Sequence, residues 1–441
     1  MTYTGTSGRA ALCAHALCSS RMNPGISSRS RWRRALAACA LLSAAACRDS
    51  SSLPTTGPTH FVLTAAGALV VGSAGSGTAC LLTLFRGTAY CWGLNDNGQF
   101  GNGSTQNSNV PVPAGGALSF AALGVSANTS CGIENSSLAL YCWGLPNDSG
   151  QVSVQVAPVL VDGSHKFIAL SEGVASGCAL TIDRDAYCWG WGAQGQLGDG
   201  YHEDAYHDSL PTVVASTPVE VSGGHTFKSL TVGYFTACGL TTQGDAFCWG
   251  LNDMGQLGSG FVGGRYLPQI QMNDYGMPIP QLVVGQHHFV SLSVGAFHAC
   301  GLTQSGEAFC WGHNAYNELG IGTRDDNPHT TPEPVTGNLT FSAIAAGQGF
   351  TCALTPRGVA YCWGLNFAGQ LGNGITDDSD VPVEVAGGLT FVSIGSSGGF
   401  ACGIAYNGDV YCWGDNQAGE LGNGTTTNSL VPVKTHFTPT P

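Results

Sequence analysis

The sequence repeats one short motif, an aromatic residue followed by Cys-Trp-Gly, seven times along the chain. A second cysteine precedes each copy by ten or eleven positions, and successive copies begin 46 to 62 residues apart. The pairs are Cys80 with Cys91, Cys131 with Cys142, Cys178 with Cys188, Cys238 with Cys248, Cys300 with Cys310, Cys352 with Cys362, and Cys402 with Cys412. Recurrence at such a period is typical of one supersecondary module repeated in an array, and it argues against a single large core.

The sixth unit shows the local structure that we expect of each copy. The Pro-Arg-Gly at 356–358 predicts a tight connection between two short apolar strands, because glycine adopts positive φ without strain. A hairpin centred on Arg357 places Cys352 opposite Cys362, near the separation that a disulfide needs. Zinc sites use shorter Cys-x₂₋₄-Cys pairs. The spacing therefore predicts one disulfide within each unit.

Other positions recur in phase with the cysteines. A phenylalanine stands eleven residues before the first cysteine in six units: Phe120, Phe167, Phe227, Phe289, Phe341 and Phe391. Each unit ends near a Pro-Val step, which favours an edge strand. Four short antiparallel strands in each of seven units predict an all-β fold, a seven-bladed β-propeller of four-stranded blades with one disulfide per blade. An open solenoid is the structural alternative. Ring closure would use Phe61-Val62-Leu63 paired beside Val431-Pro432-Val433.

A glycine-rich loop follows Cys-Trp-Gly in most units. In the sixth, the string Cys-Trp-Gly-x-Asn-x-x-Gly-Gln-Leu-Gly-x-Gly covers residues 362–374. A phosphate-binding loop needs a Lys followed by Ser or Thr, and then a helix N-terminus; this loop has neither, so we interpret the loops as structural turns. The seven motif tryptophans, one per unit, are interpreted as a packing layer.

This string resembles the regulator of chromosome condensation repeat, and the likeness covers about residues 68–435. The second unit is degenerate and keeps only Gly150-Gln151 of the glycine loop. The resemblance implies a seven-bladed propeller. The eukaryotic namesake is a nucleotide exchange factor for a small nuclear GTPase and binds chromatin. This chain departs from it in its paired cysteines and its lack of a basic tail, and in the N-terminal segment described next, which predicts export.

The N-terminus has the layout of a secretory signal. Four arginines between positions 29 and 34 precede an apolar stretch at 35–46 that is too short to span a bilayer, and Cys47 follows. The small residues before Cys47 resemble a bacterial lipobox, although Ala44 stands where leucine is usual. We expect lipidation of Cys47, the alternative being an ordinary signal peptide cut after Ala46. The expected organisation is a signal region at 1–46 (with Met22 as an alternative start), a linker at 47–60 and the propeller at 61–441.

Cysteine and charge counts fit export. Three of the 18 cysteines precede Cys47, and the remaining fifteen are seven pairs plus Cys47, whose lipid would explain the odd thiol. The net charge is −13, and loss of the six arginines before Cys47 would leave nine basic and 28 acidic residues, or −19. Such a chain repels phosphate backbones, so we expect no nucleic-acid partner.

The sequence offers no strong candidate for a metal-binding site. His287, His288 and His298 are interpreted as loop and strand-edge residues, and His202 and His207 flank two acidic residues in a long loop. The acidic loop with Asp377, Asp378 and Asp380 is interpreted as a solvated turn. We therefore predict no metal site, no cofactor and no catalytic set.

The functional prediction is a non-enzymatic protein-interaction propeller, a monomer, located in the periplasm, on the cell surface or in the medium, and touching membrane only through an N-terminal lipid. Alternatives are an exchange factor, a lyase or hydrolase on a propeller face, and an enzyme inhibitor. The binding face is assigned to the long inserts of units three to five, since loops on rigid scaffolds commonly carry function. The predicted contact residues are Tyr201, His202, Tyr206, His207, Phe261, Arg265, Tyr266 and Tyr275.

Overall fold

The fold was analysed in a computed structural model. It describes residues 68–71, 76–83, 86–145, 154–174, 176–201, 214–263, 266–267, 272–273 and 276–437. The signal region, Cys47 and Phe61-Val62-Leu63 lie outside the described residues. The prediction of an all-β, seven-bladed propeller is confirmed: seven four-stranded antiparallel sheets, each built from one stretch of the chain, form a ring.

The strands of the first three blades follow the chain without a crossover. Blade 1 contains β1 (Ala68–Val71), β2 (Thr78–Leu82), β3 (Ala89–Gly93) and β4 (Ser108–Ala114). Blade 2 contains β5 (Phe120–Val125), β6 (Thr129–Glu134), β7 (Leu140–Gly144) and β8 (Gln155–Asp162). Blade 3 contains β9 (Phe167–Glu172), β10 (Ser176–Thr181), β11 (Ala186–Trp191) and β12 (Val214–Glu220).

The fourth blade carries an inserted hairpin before its last strand. Blade 4 contains β13 (Phe227–Val232), β14 (Thr236–Thr241), β15 (Ala246–Leu251), the insert strands β16 (Tyr266–Leu267) and β17 (Met272–Asn273), and β18 (Gly276–Leu282). Blade 5 contains β19 (Phe289–Val294), β20 (His298–Thr303), β21 (Ala308–Gly312) and β22 (His329–Pro334).

The last two blades repeat the regular pattern. Blade 6 contains β23 (Ala343–Ala346), β24 (Phe350–Leu354), β25 (Ala360–Gly364) and β26 (Ser379–Glu384). Blade 7 contains β27 (Phe391–Ser396), β28 (Phe400–Ala405), β29 (Val410–Gly414) and β30 (Ser429–Lys434). The Pro-Val step lies in the outermost strand of the blade, as the sequence predicted.

One disulfide joins the second and third strands of every blade. In blade 6 Cys352 is paired directly with Cys362, and the Cα–Cα distance is 4.1 Å. The first two blades accommodate eleven residues between their cysteines in the same register. The prediction of one disulfide per unit is therefore confirmed, because the hairpin register brings each pair directly opposite. The other six disulfides join Cys80 to Cys91, Cys131 to Cys142, Cys178 to Cys188, Cys238 to Cys248, Cys300 to Cys310, and Cys402 to Cys412.

The core lies between the blades. The described residues form seven hydrophobic clusters, one at each interface between neighbouring blades. In blade 5 the indole Nε1 of Trp311 donates a hydrogen bond of 3.0 Å to the backbone carbonyl of Gln256 in blade 4. A side chain on Gly258 would come within 2.8 Å of that indole, so only glycine fits there. The tryptophans are a packing layer, as predicted, and they hold each blade to its neighbour.

A buried asparagine fixes the glycine loop of most blades. In blade 6 the side-chain oxygen of Asn366 accepts a hydrogen bond from the Leu371 amide, and its amide group donates to the carbonyls of Ile375 and Asp377. Asn366 is fully buried with its donors and acceptor satisfied. The loops are thus structural turns, as their sequence indicated.

The ring is closed by packing between blades 7 and 1. Each of these blades contains four strands from its own stretch of chain, so four-stranded blades do not require a shared strand. The Trp92 indole donates a 2.8 Å hydrogen bond to the Glu420 carbonyl, and Ser397 Oγ donates a 2.7 Å bond to the Ser76 carbonyl. These contacts are of the same kind as those between other neighbouring blades, and they exclude an open solenoid.

Among the residues that the structure describes, no helix has the length and apolar character needed to cross a membrane.

Candidate protein-interaction face

One face of the ring collects two loops from every blade. Because each sheet is antiparallel, the connection between its first and second strands and the glycine loop between its third and fourth strands emerge at the same end. We call this end of the ring the loop face. The described residues that begin the long inserts of blades 3 and 4, Tyr201 and Phe261, directly follow the glycine loops at this end.

A row of aromatic side chains crosses the loop face from blade 3 to blade 5. The aromatic belt consists, in order, of Trp191, Phe235, Tyr234, Phe297, His313 and Tyr316. Successive ring centroids lie 5.4, 4.8, 5.9, 6.3 and 5.6 Å apart. These distances are typical of favourable aromatic pairs, so the rings support one another as a continuous surface.

The aromatic belt is open to solvent. Most of its members are half-buried, and Tyr316 is 44% exposed. The core tryptophans, such as Trp311, are by contrast fully buried. Large aromatic groups that remain half-exposed in a row are characteristic of protein-interaction surfaces, where Trp and Tyr contribute most of the binding energy.

A cavity of about 460 Å³ adjoins the aromatic belt at the mouth of the central channel. Residues of blades 1, 5, 6 and 7 line it, and it shares Phe297, His313 and Tyr316 with the belt. Its other prominent side chains are Phe367, which is 66% exposed, and the acidic Glu420. We call it the channel-mouth cavity. Aromatic walls with a few acidic groups can accept an apolar or basic side chain of a partner.

A hydrogen-bonded histidine–glutamate pair lies at the edge of the channel-mouth cavity. His313 Nδ1 lies 2.5 Å from Glu318 Oε1, and this hydrogen bond raises the pKa of His313 against the opposing effect of burial. Glu318 stands where most other units have glutamine, and its second carboxylate oxygen accepts the Tyr316 amide at 2.8 Å. The pair therefore fixes the position of Tyr316.

The second glutamate of the cavity is Glu420 of blade 7. Burial raises the pKa of Glu420, whose carboxylate accepts a hydrogen bond from the Ala418 amide.

The structure places part of the predicted contact set on the loop face. Tyr201 is 71% exposed and Phe261 is 44% exposed, each just after a glycine loop. Tyr266 lies in strand β16 of the inserted hairpin. The remaining residues, His202, Tyr206, His207, Arg265 and Tyr275, lie outside the described residues.

The sequence reasoning missed the aromatic belt, although its signal was present. Trp191 directly follows a Cys-Trp-Gly motif, and it is a tryptophan outside the seven-fold series. Phe235 and Phe297 stand three residues before the first cysteine of their units. Blades 6 and 7 have Phe one position later, at Phe350 and Phe400, where the ring is buried, so a phenylalanine in this turn does not by itself indicate exposure.

Among the described candidates for metal ligands, His287 and His298 lie at opposite ends of blade 5 and are not brought together. His298 is buried at the loop-face end of blade 5, where its Nε2 lies 2.8 Å from Thr351 Oγ1, and burial lowers its pKa to about 4. His287 lies at the opposite end and stacks on Phe309 at 4.1 Å. Asp378 accepts the Asn366 amide in its own loop. His202 and His207 lie outside the described residues.

The chain is similar to known proteins that contain the same repeat. The family model described as RCC1-like domain matches residues 45–403, and the regulator of chromosome condensation (RCC1) repeat matches residues 407–440. The ultraviolet-B receptor UVR8 of Arabidopsis thaliana is 28% identical over 269 residues, 58% of this chain and 56% of the receptor. The regulator of chromosome condensation of Mus musculus is 24% identical over 328 residues, 70% of this chain and 75% of the mouse protein.

The chain spans only part of several relatives, including 6% of the human E3 ubiquitin-protein ligase HERC2. Among solved structures, human WBSCR16 is similar with a TM-score of 0.69 at 16% identity, covering 79% of this chain and 94% of that one. Prp20p of Saccharomyces cerevisiae, whose binding to Gsp1p and histones has been described, gives a TM-score of 0.62 at 21% identity, covering 75% and 80%. These likenesses establish the fold.

Proposed function

Because this chain belongs to the RCC1-like domain family, we propose that it is a non-enzymatic protein-interaction propeller of the bacterial cell envelope that binds a protein partner through its loop face. The aromatic belt is the observation that carries the proposal. It extends over three blades, further than a small ligand needs, and it is half-exposed in the unbound chain. An extended, rigid aromatic surface fits a partner of protein size.

The channel-mouth cavity is the place where we expect the partner to be held most tightly. A side chain of the partner would enter this cavity while neighbouring groups of the partner cover the aromatic belt. Binding energy is commonly concentrated where a large side chain fills a pocket surrounded by contacts that exclude water. Tyr316 belongs to both surfaces and is held by Glu318, so we place the strongest contacts there.

Export is supported by the disulfides. Cross-strand disulfides form and persist in oxidising compartments and are rare in the cytosol. An exchange factor for a cytoplasmic GTPase would not meet its substrate in such a compartment, which favours the interaction function over the exchange function. The basic and apolar segments before Cys47 fit an export signal. Labelling with a fatty-acid analogue tests the lipid at Cys47, with Cys47→Ser as the control that loses the label.

The binding proposal is tested with matched tyrosine variants. A partner is first captured from envelope extracts with the disulfide-bonded protein, identified and purified. Its affinity is then measured for the wild type, for Tyr234→Ala and Tyr316→Ala on the loop face, and for Tyr406→Ala. Tyr406 is 63% exposed on the opposite face and serves as the control. We expect a loss of affinity of tenfold or more for the loop-face variants, because buried interface tyrosines contribute about 2 kcal/mol.

The long inserts are tested separately. Shortening the segments after Gly200 and Gly260 to the length found in blade 6 removes the inserted hairpin of β16 and β17 but leaves the four-stranded sheet of each blade unchanged. If the shortened, folded protein binds the partner as the wild type does, the inserts are not part of the interface. If Tyr406→Ala weakens binding and the loop-face variants do not, the proposed face is wrong.

A further inference from the structure

The disulfide of blade 2 differs from the other six in its exposure. Thirteen of the fourteen paired cysteines have no exposed surface, whereas Cys142 is partly exposed. The neighbouring Trp189 is 7% exposed, while the equivalent Trp249 and Trp311 are fully buried. The glycine loop of blade 2 is also the degenerate one in sequence.

A buried carboxyl group lies against this disulfide. A carboxylate oxygen of Glu172 and the sulfurs of Cys131 and Cys142 all lie within 4.8 Å of one another. Glu172 is 4% exposed, and neither of its oxygens has a hydrogen-bond partner in the part of the chain that the structure describes. The two sulfurs are bonded to each other, so the three groups do not form a metal site.

The equivalent positions of other blades are apolar or small. Glu172 is the last residue of the innermost strand of blade 3. Its counterparts in blade 2 and in blades 4 to 7 are Val125, Val232, Val294, Ala346 and Ser396. The disulfide between Cys80 and Cys91, for example, packs with Val125. An unpaired carboxyl group at one of these positions lowers the stability of the fold. Packing therefore does not explain why Glu172 stands there, whereas a chemical role would.

Two glycines make room for this side chain. A β-carbon on Gly177 would overlap Glu172 Oε1, and one on Gly124 would lie 2.8 Å from Glu172 Cγ. The space for Glu172 is therefore specific to the interface between blades 2 and 3. Gly177 has non-glycine counterparts in all six other blades: Ala79, Ser130, Ala237, Ala299, Thr351 and Ala401.

We propose that the disulfide between Cys131 and Cys142 is a thiol-exchange site and that Glu172 is its proton donor. The co-substrate is a thiol of the oxidising compartment, either a small molecule or a cysteine of another protein. This function is independent of partner binding by the loop face.

The exchange proceeds in two balanced steps. A thiolate attacks the sulfur of the partly exposed Cys142, the bond between the two sulfurs breaks, and the Cys131 sulfur leaves with the electron pair. Glu172 gives its proton to that sulfur and becomes a carboxylate, which later takes a proton from water. A second thiolate attacks the reductant's sulfur in the mixed disulfide, which forms the oxidised disulfide of the reductant and releases the Cys142 thiolate, and this thiolate takes a proton from water. Two protein thiols are formed, and two reductant thiols are oxidised.

The surroundings keep Glu172 protonated until the bond breaks. Burial raises the pKa of Glu172 well above its ordinary value, with no contribution from another charge among the described residues. The elements packed against it present Gly124 of β5, the two cysteines of β6 and β7, and Gly177 of β10. None of these groups carries a charge, so the carboxyl has no competing partner for its proton.

The blade 1 disulfide is a matched internal control. Cys80 and Cys91 have the same sequence separation of 11, the same register and no exposed sulfur surface. The oxidised protein is treated with dithiothreitol, quenched with an alkylating reagent at intervals, and each cysteine peptide is quantified by mass spectrometry. We expect Cys131 and Cys142 to be alkylated at least tenfold faster than Cys80 and Cys91. Equal rates would overturn the proposal.

Substitution of Glu172 separates proton donation from exposure. Glu172→Gln keeps the shape without an acidic proton, and Glu172→Val reproduces the residue of blades 2, 4 and 5. We expect both variants to be reduced about tenfold or more slowly at Cys131 and Cys142, since general acid catalysis contributes about 10²–10⁴. The ratio of wild-type to Glu172→Gln rates should fall as pH rises, because the donor ionises. A ratio near one, or one that does not change with pH in folded variants, would overturn the role of Glu172.

Discussion

Replacement of Glu172 by valine should stabilise the protein, although it removes a buried side chain. Glu172 is 4% exposed and both of its oxygens lack a partner among the described residues. A buried polar group without a hydrogen bond costs about 1–3 kcal/mol. Valine is smaller, and the void left between Gly124 and Gly177 offsets about 1 kcal/mol of the gain. We therefore expect a net gain of up to about 2 kcal/mol at acidic pH.

The gain should increase with pH. The pKa of Glu172 is raised in the folded protein from an ordinary value of 4.5. Above pH 4.5 the unfolded chain is ionised while the folded chain is still protonated, so the wild type loses stability until pH passes the folded pKa. The valine variant has no such group, and its unfolding free energy should not show this decline.

Denaturant unfolding of the disulfide-bonded protein at several pH values tests this reasoning. The midpoint difference between Glu172→Val and the wild type should be positive and should widen from pH 4.5 upward. Glu220→Val, at an exposed position of the same blade, is the control and should change stability by less than about 0.5 kcal/mol. A variant less stable than the wild type at neutral pH would refute the account, because it would show that Glu172 has partners that stabilise it.

Three other predictions concern the blades and the charge. Trp311→Phe should destabilise the protein by about 2–3 kcal/mol in denaturant unfolding, since it loses the bond to the Gln256 carbonyl and part of a buried ring; Phe367→Leu, at an exposed ring, should have little effect. His298 is buried and neutral with a pKa of about 4, so its contribution to stability should fall by up to about 3 kcal/mol between pH 6.5 and 4; the difference in unfolding free energy between the wild type and His298→Thr should change by this amount over that range. Duplex DNA should not bind at physiological salt, given the net charge of −13, and anisotropy titration showing salt-sensitive binding would contradict this.

The sequence alone was sufficient to predict the strands of each blade, because these strands are set by residues close together in the chain. The spacing of Cys352 and Cys362 determined the hairpin register, and the Pro-Val step marked the outer strand. The recurring phenylalanines and tryptophans fall at the blade interfaces, because in-phase apolar residues of a repeat must be buried against the next copy. Cyclic closure was predicted, and the pairing proposed for it, Phe61-Val62-Leu63 beside Val431-Pro432-Val433, stays a prediction because the first segment lies outside the described residues. Packing of blade 7 on blade 1 was not predicted, since it leaves no distinct sequence signal.

The candidate sites depend on contacts between blades, which single-sequence reasoning does not resolve. Tyr234 and Phe297 stack although 63 positions separate them, because equivalent loops of neighbouring blades are adjacent. Glu172 reads in sequence as the polar end of a strand. Only the structure shows that this strand end faces the disulfide of the preceding blade, where a carboxyl group has no partner among the described residues.

Hydrogen–deuterium exchange of the complex with the captured partner tests the interaction face most directly. The account predicts slowed exchange in the loop-face peptides around Tyr234, Phe297 and Tyr316, with no change in the turns at Ile182 and Tyr406 on the opposite face. Slowed exchange in those opposite turns, together with unchanged exchange around Tyr234 and Phe297, would contradict the proposal that the aromatic belt receives the partner.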